Sequence, residues 1–154
     1  MKHWLMKCEP AAYTIDALQR DGTTSWEGVR NFQARNFIRD EMSVGDRVLF
    51  YASNADPSGV TGLAEISRAA YADRFATQKG HEYYDPKATK EEPIWYMVDI
   101  RFVEKFSHIV PLETLKAAPG LENMVVTRKG SRLSVQPVTK SEYDIVVKLG
   151  RKKS

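Results

Sequence analysis

The 154-residue chain has one cysteine, Cys8. It can form neither an internal disulfide nor a Cys-x-x-Cys metal knuckle, and such thiol usage fits a reducing compartment. No apolar run approaches the roughly 18 residues of a membrane helix, and MKHWLMKCEP lacks the apolar stretch of a signal peptide. The expectation is an intracellular protein that does not enter a membrane, cytoplasmic, or nuclear in a eukaryote. An excess of one charge is also missing. There are 23 basic and 20 acidic residues, and three of the bases are Arg151, Lys152 and Lys153. Without them the body balances at 20 against 20, so general cationic attraction to a phosphate backbone is excluded and any nucleic-acid contact must be local. No GxSxG, Walker or GxGxxG motif occurs. His3, His81 and His108 share no ligand spacing, so neither a metal nor a cofactor is expected.

What is present is the composition of a folded chain, 42% hydrophobic and 10% aromatic. The length suits one domain, 1–150, with 151–154 as a solvated basic tail and a monomer as the default state. His3 to Cys8 alternates as a strand that Pro10 ends. Thr14 caps a short helix carrying Ile15 and Leu18, which Asp21-Gly22 closes. Asn31 is placed to cap a second helix, whose buried stripe is Ala34, Phe37, Ile38 and Met42. RVLFYASN, from Arg47, reads as a strand with Val48 and Phe50 on one face and Leu49, Tyr51 and Ser53 on the other. Val60, Gly62, Ala64 and Ile66 alternate as its hairpin partner.

Tyr71 to Glu92 is polar and irregular, a length of loop that usually carries function. A half-buried strand starts at Tyr96, and Pro111 opens a short helix with Leu112 and Leu115. Arg132 to Val138 reads as extended. Thr139 and Glu142 form a capping box for a last helix, with Tyr143, Val146 and Val147 on its buried face and its end at Gly150. The pattern predicts an α+β fold around an antiparallel, barrel-like sheet with short flanking helices.

Aromatics stand beside amides, hydroxyls and arginines: Trp26 with Arg30 and Asn31, Tyr51 with Ser53, Tyr83 with Tyr84 and Asp85. Aromatic faces stack on any base at roughly 1 to 3 kcal/mol each, and neighbouring polar groups can read its edge. Each aromatic taken alone is better explained by the core.

Six motifs carry a family resemblance: WLMKCEP from Trp4, WEGVRNFQARN from Trp26, GDRVLFYAS from Gly45, GLAEI from Gly62, YYDPK from Tyr83 and RLSVQPV from Arg132. In order and spacing, over about residues 2 to 147, they resemble the EVE domain. The resemblance implies a PUA-like fold related to the YTH readers, and binding of a methylated or hydroxymethylated base in DNA or RNA after the base has left its stack. By the same resemblance Trp26 is a wall of the base cage. Cys8 stands where the family usually has serine, so a hydroxyl contact is lost there. Asn31 either reads the base or satisfies the helix end. Tyr51 and Ser53 line the pocket floor, Arg132, Leu133 and Ser134 its opposite rim, and Tyr84 closes over the ligand. Arg30 and Arg35 are phosphate contacts or solvated surface arginines.

The implied protein is a non-catalytic reader. One alternative is a hydrolase of modified nucleosides similar to the ASCH-type members of the group, with Lys7 and Glu9 activating water. Another is a protein-interaction module.

Overall fold

A computed structural model describes residues 1–128 and 133–152. The strands are β1 (His3–Cys8), β2 (Thr23–Trp26), β3 (Arg47–Ala52), β4 (Gly59–Ala72), β5 (Tyr96–Pro111) and β6 (Val135–Val138). The helices are α1 (Ile15–Asp21), α2 (Phe32–Asn36), α3 (Leu112–Ala117) and α4 (Lys140–Arg151). They form one sheet in the order β2-β5-β4-β3-β1-β6.

The fold is α+β, as expected, but the sheet is mixed: β1 runs parallel to β3, with His3 opposite Arg47 and Cys8 opposite Ala52, while its other neighbour, β6, is antiparallel. A parallel pair needs a long crossover, and here α1, β2 and α2 provide it. Among the described residues the sheet is not closed into a barrel, and β2 and β6 are its edges.

Strand alternation sorts the apolar side chains onto two faces. Trp4, Met6, Val48, Phe50, Ala64, Ile66, Val98 and Ile100 pack with Ile15 and Leu18 of α1 and Ala34 and Ile38 of the α2 region. Leu5, Leu49, Tyr51, Val60, Leu63, Phe106 and Val110 pack with Leu115 of α3 and Val146 of α4. Polar atoms at the core boundary find partners. Asp46 accepts from Trp4 Nε1 at 3.0 Å, from the Lys2 amide at 3.0 Å and from the Ser43 amide at 2.9 Å.

Local signals act as the sequence indicates at Thr14, whose side chain accepts from the Ala17 amide, and at the Thr139–Glu142 capping box. Beyond Asn36 the chain widens into a π turn over Phe37–Glu41, which still buries Ile38. Two expectations need correction. Val60 and Ala64 do not share a face, because β4 bulges around Gly62, where a side chain would strike the Glu104 carbonyl. β4 and β5 are also longer than expected, so the irregular segment begins only at Asp73.

The last helix does not end at Gly150, and Arg151 is not part of a free tail. Arg151 is the final residue of α4 and pairs with Glu104 at 2.7 Å. Gly150 lies inside the helix because the Phe106 ring occupies the place of a side chain. Helix propensity alone predicts that Gly150→Ala stabilises by about 1 kcal/mol. Overpacking against the buried Phe106 costs about 1 to 3 kcal/mol, so a thermal melt should show a lower Tm, and a raised Tm would contradict the contact.

Candidate functional site

A cleft of about 440 Å³ opens where the C-terminal end of β1 meets the exit of β2. Lys7, Cys8 and Glu9 form one side, with Ala12 and Tyr13 from the following turn; Thr24 to Arg30 form the other; Tyr83 and Ser134 complete the rim. β1 and β2 are four places apart in the sheet, so only strong coiling brings their ends together. The volume falls in the range of small-ligand sites. A larger hollow, about 800 Å³, is lined by residues 144–152 of α4 and its end alone. It holds none of the motifs noted in the sequence.

A buried carboxylate builds the outer wall. Asp73, at the end of β4, accepts from the Gly28 amide at 2.9 Å, from Arg30 Nη1 at 3.0 Å and from the Phe75 amide at 3.0 Å. Arg30 Nη2 then donates to the Tyr83 carbonyl at 2.8 Å, and its guanidinium lies 5.3 Å from the Tyr83 ring and 5.2 Å from the Trp95 ring. Gly28, at φ 82°, has the Tyr83 ring where a side chain would be. Glycine is required there both for the left-handed backbone and for the ring's approach.

The loop behind this wall is ordered by Trp95, which donates from Nε1 to Asp85 at 2.7 Å and packs over Ala76 and Ala88. That hydrogen bond holds the Asp85 carboxyl below the usual carboxylate range. Phe32, 58% exposed, stacks on the other side of Trp95 at 4.9 Å.

Of the residues singled out in the sequence, the cleft gathers Trp26, Cys8, Arg30, Ser134 and Tyr83, with Lys7 and Glu9. Trp26 is only 8% exposed and meets Phe50 edge-on at 5.7 Å, so it is a core residue and a cleft wall together. Cys8 is half-buried, and Ser134 is joined to β1 by the Lys7 amide donating to its carbonyl at 2.8 Å.

Several placements are corrected. Tyr51 lies on the opposite face of the sheet, in the second core, because it alternates with Phe50. Ser53 is not on the cleft floor; its amide donates to the Cys8 carbonyl at 3.0 Å and so holds the end of β1. Asn31 serves the helix: its side chain accepts from the Ala34 amide at 3.0 Å, the capping half of the alternative, and it is absent from the cleft lining. Tyr83, not Tyr84, reaches the cleft.

Leu133 packs against the first core, while Arg132 lies outside the described residues. Arg30 and Arg35 are both half-buried and have protein partners. Arg30 is bound to Asp73 and Tyr83, and Arg35 donates to the Ile94 carbonyl at 2.9 Å and to Asn36. Sequence reasoning passed over Ser25, Glu27, Gly28 and Asp73. Glu27 and Gly28 follow Trp26 in the motif and Ser25 precedes it, so all three were open to notice, whereas nothing local marks Asp73 as buried.

Among the described residues the cleft is lined by two carboxylates, Glu9 and Glu27, and two cations, Lys7 and Arg30. Ser25 donates to Glu27 Oε2 at 2.6 Å, and Asn54 donates to Glu9 Oε1 at 2.6 Å. Burial pushes the Cys8 thiol above its ordinary pKa; a backbone hydrogen bond at Tyr13 works against it, and the negative charges of Glu9 and Glu27 add smaller rises. Burial also lowers the Lys7 ammonium. Its Nζ lies 5.7 Å from the Tyr51 ring, while Glu9 is held by Asn54. Among the described residues no group of three metal-ligating side chains occurs, and no helix is long and apolar enough to cross a membrane.

A sequence profile of the EVE domain matches residues 2–149. The chain belongs to the EVE domain family. Human thymocyte nuclear protein 1 is 40% identical over 97% of this chain and 74% of its own length. The crystal structure of the human THYN1 protein in complex with 5-methylcytosine-containing DNA superposes on this EVE domain with a TM-score of 0.90, at 39% identity and over 100% of both chains. The YTH domain of Zygosaccharomyces rouxii MRB1, in complex with N6-methyladenosine RNA, gives a TM-score of 0.58 at 16% identity, covering 99% of this chain and 88% of that one. This last likeness concerns the fold alone.

Two predictions test the geometry. Asp73→Ala leaves the Arg30 charge without its partner and should lower unfolding free energy in urea by about 2 to 3 kcal/mol. That is less than the roughly 3 to 5 of a fully buried pair, since 23% of the Arg30 side chain is exposed. Cys8, with its raised thiol, should react with a maleimide at neutral pH more slowly than a free cysteine; an equal rate would place it outside the cleft.

Proposed function

We propose that the chain is a non-enzymatic reader of a modified base in DNA or RNA, received between Trp26 and Tyr83 after flipping from its stack. The observation that carries this is the cleft itself, a base-sized space with an aromatic wall, in a chain that matches along its whole length a protein crystallised with 5-methylcytosine DNA. Flipping costs a few kcal/mol, and stacking in the pocket, about 1 to 3 kcal/mol per base, offsets it. A methyl group adds about 0.8 kcal/mol when buried, so it is read by fit in a dry cage rather than by a long interface.

The balanced charge of the body fits this reading, because recognition is concentrated in one site. The protein acts as a monomer, without a cofactor, in the cytoplasm or in a eukaryotic nucleus. No observation favours hydrolysis, for Lys7 and Glu9 have different neighbours and form no pair.

The test is a tryptophan-fluorescence titration with short DNA and RNA strands carrying 5-methylcytosine, 5-hydroxymethylcytosine, N6-methyladenine or no modification. Trp26→Ala is a poor control, since removing a buried tryptophan costs about 3 to 5 kcal/mol of stability. Trp26→Phe and Tyr83→Ala are better. Saturable binding of one modified base, weakened about tenfold in Tyr83→Ala, is expected from the loss of one stacking partner. A flat response across the panel would overturn the reading.

A further inference from the structure

We infer that Glu27 selects the base, its carboxylate accepting from an exocyclic amino group, so that the cleft takes a 5-substituted cytosine and rejects the corresponding uracil. The inference rests on the reading of the cleft as a base site and adds the residue that discriminates within it.

Four observations support it. Glu27 lines the cleft directly after Trp26. It shares that lining with Cys8 and Tyr83, so its carboxylate belongs to the same space as the aromatic rim. The Ser25 hydroxyl holds one of its oxygens at 2.6 Å, fixing the side chain and leaving the second oxygen as an acceptor. Finally, the cleft's own guanidinium does not neutralise it, because Arg30 is bound to Asp73, Val29 and Tyr83. Among the described residues Glu27 forms no ion pair.

An oriented carboxylate in a half-buried cleft needs a donor from water or from a ligand, because an ionised carboxylate can only accept. As an occupant, a phosphate fits less well: it would bring negative charge beside Glu27 and Glu9, with Arg30 already bound elsewhere and the Lys7 ammonium over the Tyr51 ring of the second core. A base edge with an amino group is the right one. Thymine and 5-methylcytosine have the same ring and the same methyl group, and differ in a carbonyl against an amino group and in the proton on the adjacent ring nitrogen. Opposite Glu27 the amino group donates, whereas the carbonyl oxygen sets acceptor against acceptor. A site that pairs with one base edge and leaves an acceptor unpaired with the other discriminates by roughly five- to 150-fold.

The experiment compares single strands that differ only in 5-methylcytosine or thymine at one position, titrated against the native protein, Glu27→Gln and Ser25→Ala, with folding of each variant checked by circular dichroism and thermal melting. The native protein should prefer 5-methylcytosine by about tenfold or more. Glu27→Gln, whose amide can donate to a carbonyl, should reduce the preference to about twofold. Ser25→Ala keeps the charge but frees the side chain, and should give an intermediate preference; it carries the test if Glu27→Gln does not fold. Equal native affinity for the two strands, or a preference undiminished in both variants, overturns the assignment while leaving the cleft as a base site. Binding that is unchanged in Tyr83→Ala removes the base site itself, and the role of Glu27 with it.

Discussion

The Asp73 carboxylate is the constraint on which the cleft depends. Its side chain is fully buried, and it is held by three donors from two parts of the chain: the Gly28 amide and Arg30 after β2, and the Phe75 amide in the loop after β4. A buried charge persists only when it is paired and hydrogen-bonded. Meeting that requirement fixes the exit of β2 against the start of the long loop. Arg30 extends the linkage to the Tyr83 carbonyl and to the faces of Tyr83 and Trp95. The aromatic wall of the cleft is thus positioned by electrostatics, with dispersion between the rings completing it.

The inner wall is positioned by a different force. Trp26 belongs to the first hydrophobic core, edge-on to Phe50, and the orientation of its ring follows from packing on the coiled sheet. One wall of the cleft is therefore set by the core and the other by an ion pair. The Arg30 cation is used to hold the outer wall, while Glu27 forms no ion pair among the described residues.

The sequence carried the local rules well. The Thr14 cap, the Thr139–Glu142 box, the helix opened at Pro111 and the face division of β3 all depend on neighbours within a few residues, and so are visible in the pattern. The six motifs identify the family, and two of them contain the cleft residues Trp26 and Cys8. What escaped was long-range. The face change in β4 comes from a bulge where Gly62 meets the Glu104 carbonyl, which strict alternation cannot register. Arg30 and Arg35 looked like surface cations, because their acceptors lie 43 and 59 residues further along the chain.

Tyr51 shows the same division from the other side. Alternation placed it correctly opposite Phe50, but which face of β3 looks toward the cleft depends on how the whole sheet coils. The sequence by itself determined most of the elements, the caps at Thr14, Asn31 and Thr139, and the family, since propensity, periodicity and motif are properties of short stretches. Only the tertiary structure decided that Thr23–Trp26 is a strand, that Tyr83 rather than Tyr84 lines the cleft, and that Glu27 lies in its lining. Those outcomes are set by ring contacts, a buried ion pair and sheet curvature, which join residues distant in the chain and leave no local trace.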